Sequence, residues 1–128
     1  MKISTLGILF FMFFLSCKKE AGDGGTSTVV GKIHITEYDS DFQNVKADYP
    51  GADVDVYIIY GNGTTYDDNT KTGPNGDFTF KYLRKGDYKI YAYSSADTPS
   101  GKETVLKEIK ITGRKQTVDA GTIEVKKN

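Results

Sequence analysis

Few side chains in this sequence can do acid–base or nucleophilic chemistry. There is one cysteine, Cys17, and one histidine, His34. A Cys–His or Ser–His–Asp relay needs an imidazole beside its nucleophile, so any such relay here must use His34. That residue stands in the alternating run Gly31-Lys32-Ile33-His34-Ile35, where a lone histidine is a surface or packing residue of a strand. No histidine–carboxylate cluster has the spacing of a zinc site. Acidic side chains gather twice, as Glu37, Asp39, Asp41 and Asp48 and as Asp67-Asp68-Asn69. Calcium takes about six to eight oxygen ligands, and neither run has the glycine and terminal glutamate of an EF-hand loop. Both are expected to be solvated loops. The inventory therefore predicts no catalytic residue, no cofactor and no metal.

The residues suited to recognition are tyrosines, of which there are nine, with no tryptophan. Tyr57 and Ile59 share one parity of a strand, Tyr91 and Tyr93 one parity of another, and in both strands the opposite parity is the apolar one. If the two strands are neighbours, one exposed sheet face carries Tyr57, Ile59, Tyr91 and Tyr93. A tyrosine offers an apolar ring with a polar tip, suited to protein partners or to sugar faces. This is the candidate interaction face. The alternative is cross-strand pairing that does no more than stabilise the sheet.

These residues are positioned by what precedes and surrounds them. Lys2 is followed by an apolar stretch from Leu6 to Leu15, shorter than the ~20 residues that span a bilayer. It ends abruptly at Cys17-Lys18-Lys19-Glu20, as the apolar core of a secretory signal does. Leu15-Ser16-Cys17 resembles the lipobox of bacterial lipoproteins, in which a small residue precedes a cysteine that carries diacylglycerol. The resemblance implies cleavage after residue 16 and lipidation of Cys17. It also implies an exported protein anchored through that lipid to the cell envelope, with the outer membrane of a Gram-negative bacterium as the expected site. Two or more acyl chains hold a protein on a membrane stably, where one does not. An unpaired thiol in an exported protein then needs no disulfide partner.

The expected organisation is a signal peptide over 1–16, the lipidated cysteine with a polar, glycine-rich flexible tether over 17–27, and one domain over 28–128. Lys2 is the one charged residue of the leader, so 16 basic and 17 acidic residues remain after its removal. Such a chain lacks the basic footprint of a nucleic-acid binder.

From Thr28 onward the pattern is β, with short alternating segments separated by glycine turns. Seven strands are predicted: 28–36, 53–60, 64–72, 77–83, 87–94, 102–112 and 117–126. Val29, Gly31, Ile33 and Ile35 share a face of the first, Phe78 and Phe80 turn inward from the fourth, and Tyr88, Ile90 and Ala92 from the fifth. Gly61-Asn62-Gly63 and Asn75-Gly76 supply turn residues that accept positive φ. The expected fold is all-β, a seven-stranded antiparallel sandwich.

Four fragments recur in order: Gly31-Lys32-Ile33, Pro50-Gly51-Ala52-Asp53-Val54, Thr72-Gly73-Pro74-Asn75-Gly76-Asp77-Phe78, and Leu83-Arg84-Lys85-Gly86-Asp87-Tyr88. The chain resembles the carboxypeptidase regulatory-like domain family over about residues 28–126. That resemblance implies a transthyretin/immunoglobulin-like Greek-key sandwich. Gly73 stands where the family usually has Asp. Transthyretin-like hydrolases carry several histidines and a C-terminal Tyr-Arg-Gly-Ser, all missing from this chain. The expected function is a non-enzymatic envelope lipoprotein presenting its sandwich to other envelope proteins or as structural support. The alternative is a glycan-binding module associated with polysaccharide uptake.

Overall fold

The computed structural model describes residues 21–128, so the signal peptide, Cys17 and the start of the tether lie outside the described residues. Alternation of apolar and polar side chains has produced eight strands: β1 (Asp23–Tyr38), β2 (Val45–Pro50), β3 (Asp55–Tyr60), β4 (Asp68–Lys71), β5 (Asp77–Leu83), β6 (Gly86–Ser95), β7 (Lys102–Ile111) and β8 (Thr117–Lys127). They form two four-stranded sheets, one of β1, β2, β5 and β8 and the other in the order β4-β3-β6-β7. The connections β2–β3, β4–β5, β5–β6 and β7–β8 all pass from one sheet to the other. The all-β sandwich expected from the sequence is the fold observed. All pairings are antiparallel except one: β8 lies parallel to β1 from Thr28↔Thr117 to Glu37↔Lys127.

The two inner faces close on Val29, Ile33, Val56, Ile58, Phe78, Phe80, Leu83, Tyr88, Ile90, Ile111 and Ile123, each at most 4% exposed. The expected inward residues of β1, β5 and β6 are all among the buried ones.

One edge of β1 serves two partners. Its first half pairs β5, with Gly31↔Phe78, and its second half pairs β2, with His34↔Pro50. The exchange occurs at Ile33, whose N–H donates to the Gly76 carbonyl at 2.8 Å and whose own carbonyl accepts from the Gly51 N–H at 2.8 Å. Three chain segments meet here with no room for side chains. A Cβ on Gly31 would enter the Phe78 ring, and one on Gly51 would stand 3.1 Å from Ile33 Cβ. Gly76 combines the same crowding with a φ of 81°, in the left-handed region that favours glycine. The first three recurring fragments thus converge on one junction of the fold.

Three sequence expectations need correction. The first strand begins at Asp23, and Ser27 is fully buried, its hydroxyl donating to the Gly113 carbonyl at 2.9 Å. The second half of the expected tether therefore belongs to the sheet. Its polar composition is compatible with a strand because the backbone and Ser27 find partners. Secondly, the long connection after β1 contains β2, which is why there are eight strands and not seven. Thirdly, the strand expected over 64–72 shrinks to Asp68–Lys71. The Tyr60 N–H donates to the Asp67 carboxylate at 2.7 Å, which diverts the segment before Asp68 into a loop. The turn at Asn75-Gly76 links β4 to β5 across the two sheets.

Candidate functional site

The outer face of the β4-β3-β6-β7 sheet is organised by register. β3 and β6 are neighbours with Tyr57 opposite Tyr91. Asn69 of β4 stands opposite Tyr57, and Leu106 of β7 opposite Tyr91. One lateral row therefore reads Asn69, Tyr57, Tyr91, Leu106. Tyr57 and Tyr91 stack with ring centroids 5.1 Å apart and planes 17° apart. Tyr93 meets both edge-on, at 5.6 and 5.8 Å. Tyr66, from the loop before β4, lies 4.9 Å from Tyr57.

The four rings have two different roles. Tyr57 and Tyr91 are half-buried, and burial raises both phenols above the ordinary 10.0. Their stack spans the β3–β6 seam, an arrangement that contributes about 0.5–1.5 kcal/mol per aromatic pair beyond area burial. Tyr66 and Tyr93 are 52% and 49% exposed, and Leu106 45%. They present the surface that the inner pair supports. Of the four residues expected on this face, Tyr57, Tyr91 and Tyr93 come together. Ile59 has the right parity but is only 8% exposed. The loop after β3 covers it, and a Cβ on Gly63 would stand 3.2 Å from its Cγ2. Tyr66 and Leu106 were missed. Tyr66 belongs to a loop that sequence reads as strand, whereas Leu106 was available from the alternation of β7.

His34 projects from β1 between two carboxylates. Its Nδ1 lies 2.7 Å from Glu124 of β8 and its Nε2 3.3 Å from Asp48 of β2. The hydrogen bond to Glu124 and the two negative charges raise its pKa above 6.5. The imidazole ties three strands together, and among the described residues its hydrogen-bond partners are the two carboxylates. Among the described residues no group of three potential metal ligands is gathered. Asp39 instead organises the β1–β2 loop, accepting from the N–H of Gln43 at 3.1 Å and from Asn44 Nδ2 at 2.8 Å. Its hydrogen bond with Asp41, followed by those from Asn44, holds its pKa at about 2.

That loop forms one wall of a cleft of about 290 Å³, and the β6–β7 loop forms the opposite wall. Tyr38 and Phe42 line it, together with Asp97, Thr98, Glu103 and Lys126. The two rings lie 5.8 Å apart at 47°. Phe42 has a φ of 59°, a conformation unusual for a bulky residue.

No family model matches the sequence, and a search of curated proteins finds no match. Among solved structures the chain is similar to a Pseudomonas aeruginosa protein proposed to bind carbohydrate, with a TM-score of 0.48 and 17% identity over 83% of this chain and 91% of that one. It is also similar to the major pilin subunit of Bacillus cereus, with a TM-score of 0.45 and 19% identity over 78% of this chain and 30% of that one. Both likenesses are of fold alone.

Proposed function

We propose that this protein is a non-enzymatic, lipid-anchored envelope module whose β-sandwich presents the Tyr57–Tyr66–Tyr91–Tyr93 face to a protein partner. The observation that carries this reading is the pair of half-exposed rings, Tyr66 and Tyr93, set on a rigid tyrosine stack beside Leu106. Aromatic side chains are enriched in the cores of protein interfaces because each buries a large area while fixing few rotatable bonds. A row that existed only to brace β3 on β6 would need no half-exposed members.

The rest of the chain supports a tethered module. The lipobox resemblance of Leu15-Ser16-Cys17 favours acylation at Cys17, and the four sequence fragments favour membership of the carboxypeptidase regulatory-like family. The single histidine is engaged by two carboxylates, and the single thiol is the proposed lipid carrier, which speaks against an enzyme. Export to the outer membrane of a Gram-negative cell is part of the same proposal.

A photo-crosslinking residue at Thr104, on β7 opposite Tyr93, tests the face in intact envelopes. Discrete adducts are expected there and not from Thr79 on the other sheet. The double variant Tyr66→Ser/Tyr93→Ser is expected to lose them while folding normally. Equal adducts at both positions, or adducts that survive the double variant, would reject the tyrosine face. Fatty-acid labelling of the wild type but not of Cys17→Ser is the matching test of the anchor.

A further inference from the structure

We propose that the cleft between the β1–β2 and β6–β7 loops is a binding site for one ring of an uncharged saccharide. It is separate from the tyrosine face and does not depend on it. The volume, about 290 Å³, falls just below the range for drug-sized ligand pockets, about 300–1,000 Å³. It suits one sugar ring and not a folded peptide segment.

The lining selects the ligand class. Asp97, Glu103 and Lys126 all face the cleft, and none of their three side chains makes an ion pair or a hydrogen bond among the described residues. Two carboxylates against one ammonium oppose an anionic ligand, while a cationic ligand would pair the carboxylates but leave the Lys126 ammonium repelled and without a partner. A neutral polyol is opposed by neither. Its hydroxyls donate to the carboxylates and accept from the ammonium, so all three charged groups find partners at once. Tyr38 and Phe42 complete the site with apolar surface for the C–H face of the ring.

The wall that carries Phe42 is built, not incidental. Asp39 draws in the Gln43 and Asn44 amides, and Phe42 N–H donates to the Asp39 carbonyl at 3.1 Å. This closes the loop so that Phe42 is held in the left-handed region, half-exposed, against Tyr38. An aromatic residue kept in a costly backbone conformation at the mouth of a cleft is the kind of strain that accompanies ligand sites.

The test is an amide-resonance titration of the full-length protein in a detergent without a sugar head group. The neutral probes are maltose, cellobiose and lactose, with glucuronate and glucosamine as charged comparators. Shifts are expected at Phe42, Thr98, Glu103 and Lys126 with at least one neutral probe, and weaker ones with both charged sugars. Phe42→Ala should weaken that binding about tenfold, the loss of one aromatic contact. Glu103→Gln, which keeps the shape of the wall, should weaken it without altering the spectrum of the free protein. The proposal is overturned if no neutral probe shifts these residues, if the shifts fall on Tyr66 and Tyr93 instead, or if a charged sugar binds more tightly.

Discussion

Replacing Tyr88 with Phe isolates the contact that holds Gly22 against the sandwich. Tyr88 is 1% exposed. Its hydroxyl accepts from the Gly22 N–H at 2.9 Å and donates to the Arg84 carbonyl at 2.5 Å. The hydroxyl also lies 3.2 Å from the Gly22 carbonyl, which accepts from the Arg84 N–H at 2.8 Å and keeps that donor in the variant. The Gly22 N–H and Arg84 carbonyl have no other partner among the described residues. Phenylalanine preserves the ring, so no cavity opens. Burial raises the Tyr88 phenol above 10.0, so no charge is removed at neutral pH either. What remains is the cost of stranding buried polar groups, about 1–3 kcal/mol, out of the roughly 5–15 kcal/mol typical of a whole domain. Peeling of Ala21 and Gly22 from the sandwich would return those groups to water and cap the loss near the lower figure. Urea unfolding followed by far-ultraviolet circular dichroism measures the loss, and amide exchange at Gly22 and Arg84 reports the peeling. Tyr82→Phe, at a site 70% exposed, is the control, expected within about 0.5 kcal/mol of wild type. A Tyr88→Phe loss below about 0.5 kcal/mol with unchanged exchange would refute the argument.

Phe78→Ala removes a ring that is 2% exposed and lies over Gly31; urea melting should show a loss of about 3–5 kcal/mol, and one under about 1 kcal/mol would place Phe78 outside the core. His34 should make the protein less stable as pH rises. Its folded pKa is raised above 6.5, first by the hydrogen bond to Glu124, so the stabilisation is complete below 6.5 and is lost as pH climbs through the raised value. As the chain has one histidine, its ring resonances give the midpoint directly. A midpoint at or below 6.5, or a His34→Gln variant with the same pH dependence of melting, would remove His34 as the cause.

Strands buried on one face were legible in the sequence because alternation is a direct image of the two-sided sheet. The inward set Val29, Gly31, Ile33 and Ile35 and the pair Phe78 and Phe80 could be assigned by parity alone. β2 could not. Its side chains are exposed on both faces except for half-buried Tyr49, and its ladder to β1 is a backbone interaction that leaves no hydrophobic pattern. The early start of β1 was hidden for a related reason: Asp23 pairs Leu83, a bulge follows until Ser27 meets the same residue, and Gly22 and Gly25 pack against Arg84 and Leu83, none of which leaves a hydrophobic pattern. The tyrosine face was half legible. Parity gave Tyr57, Tyr91 and Tyr93, but whether Ile59 stays open depends on how the next loop folds over it. The cleft was not legible, because its walls come from two loops and the ends of three strands that are distant in sequence and meet only through the fold.

The direction of the strands relates the two proposed surfaces to the proposed anchor. β1 starts at Asp23 and β6 at Gly86, both at the end where Gly22 meets Arg84 and Tyr88. They finish at Tyr38 and Ser95, beside the cleft. The 10 residues of β6, which run between these same two ends, span about 33 Å, so the cleft occupies the pole remote from the tether. Four residue steps separate Cys17 from Ala21, a reach of at most about 14 Å. With acyl chains on Cys17, the near pole is confined close to the lipid surface and the cleft is held well away from it. Tyr91 lies midway along β6, so the tyrosine face is a side wall between the poles. A protein anchored in the same leaflet would meet that wall, whereas a polymer lying beyond the membrane would meet the pole. Lengthening the segment between Cys17 and Ala21 with a flexible insert should therefore weaken Thr104 crosslinking, because the wall is no longer held at its partner's height. Saccharide binding at the cleft should be unchanged, and a parallel loss of both would contradict this division of the surface.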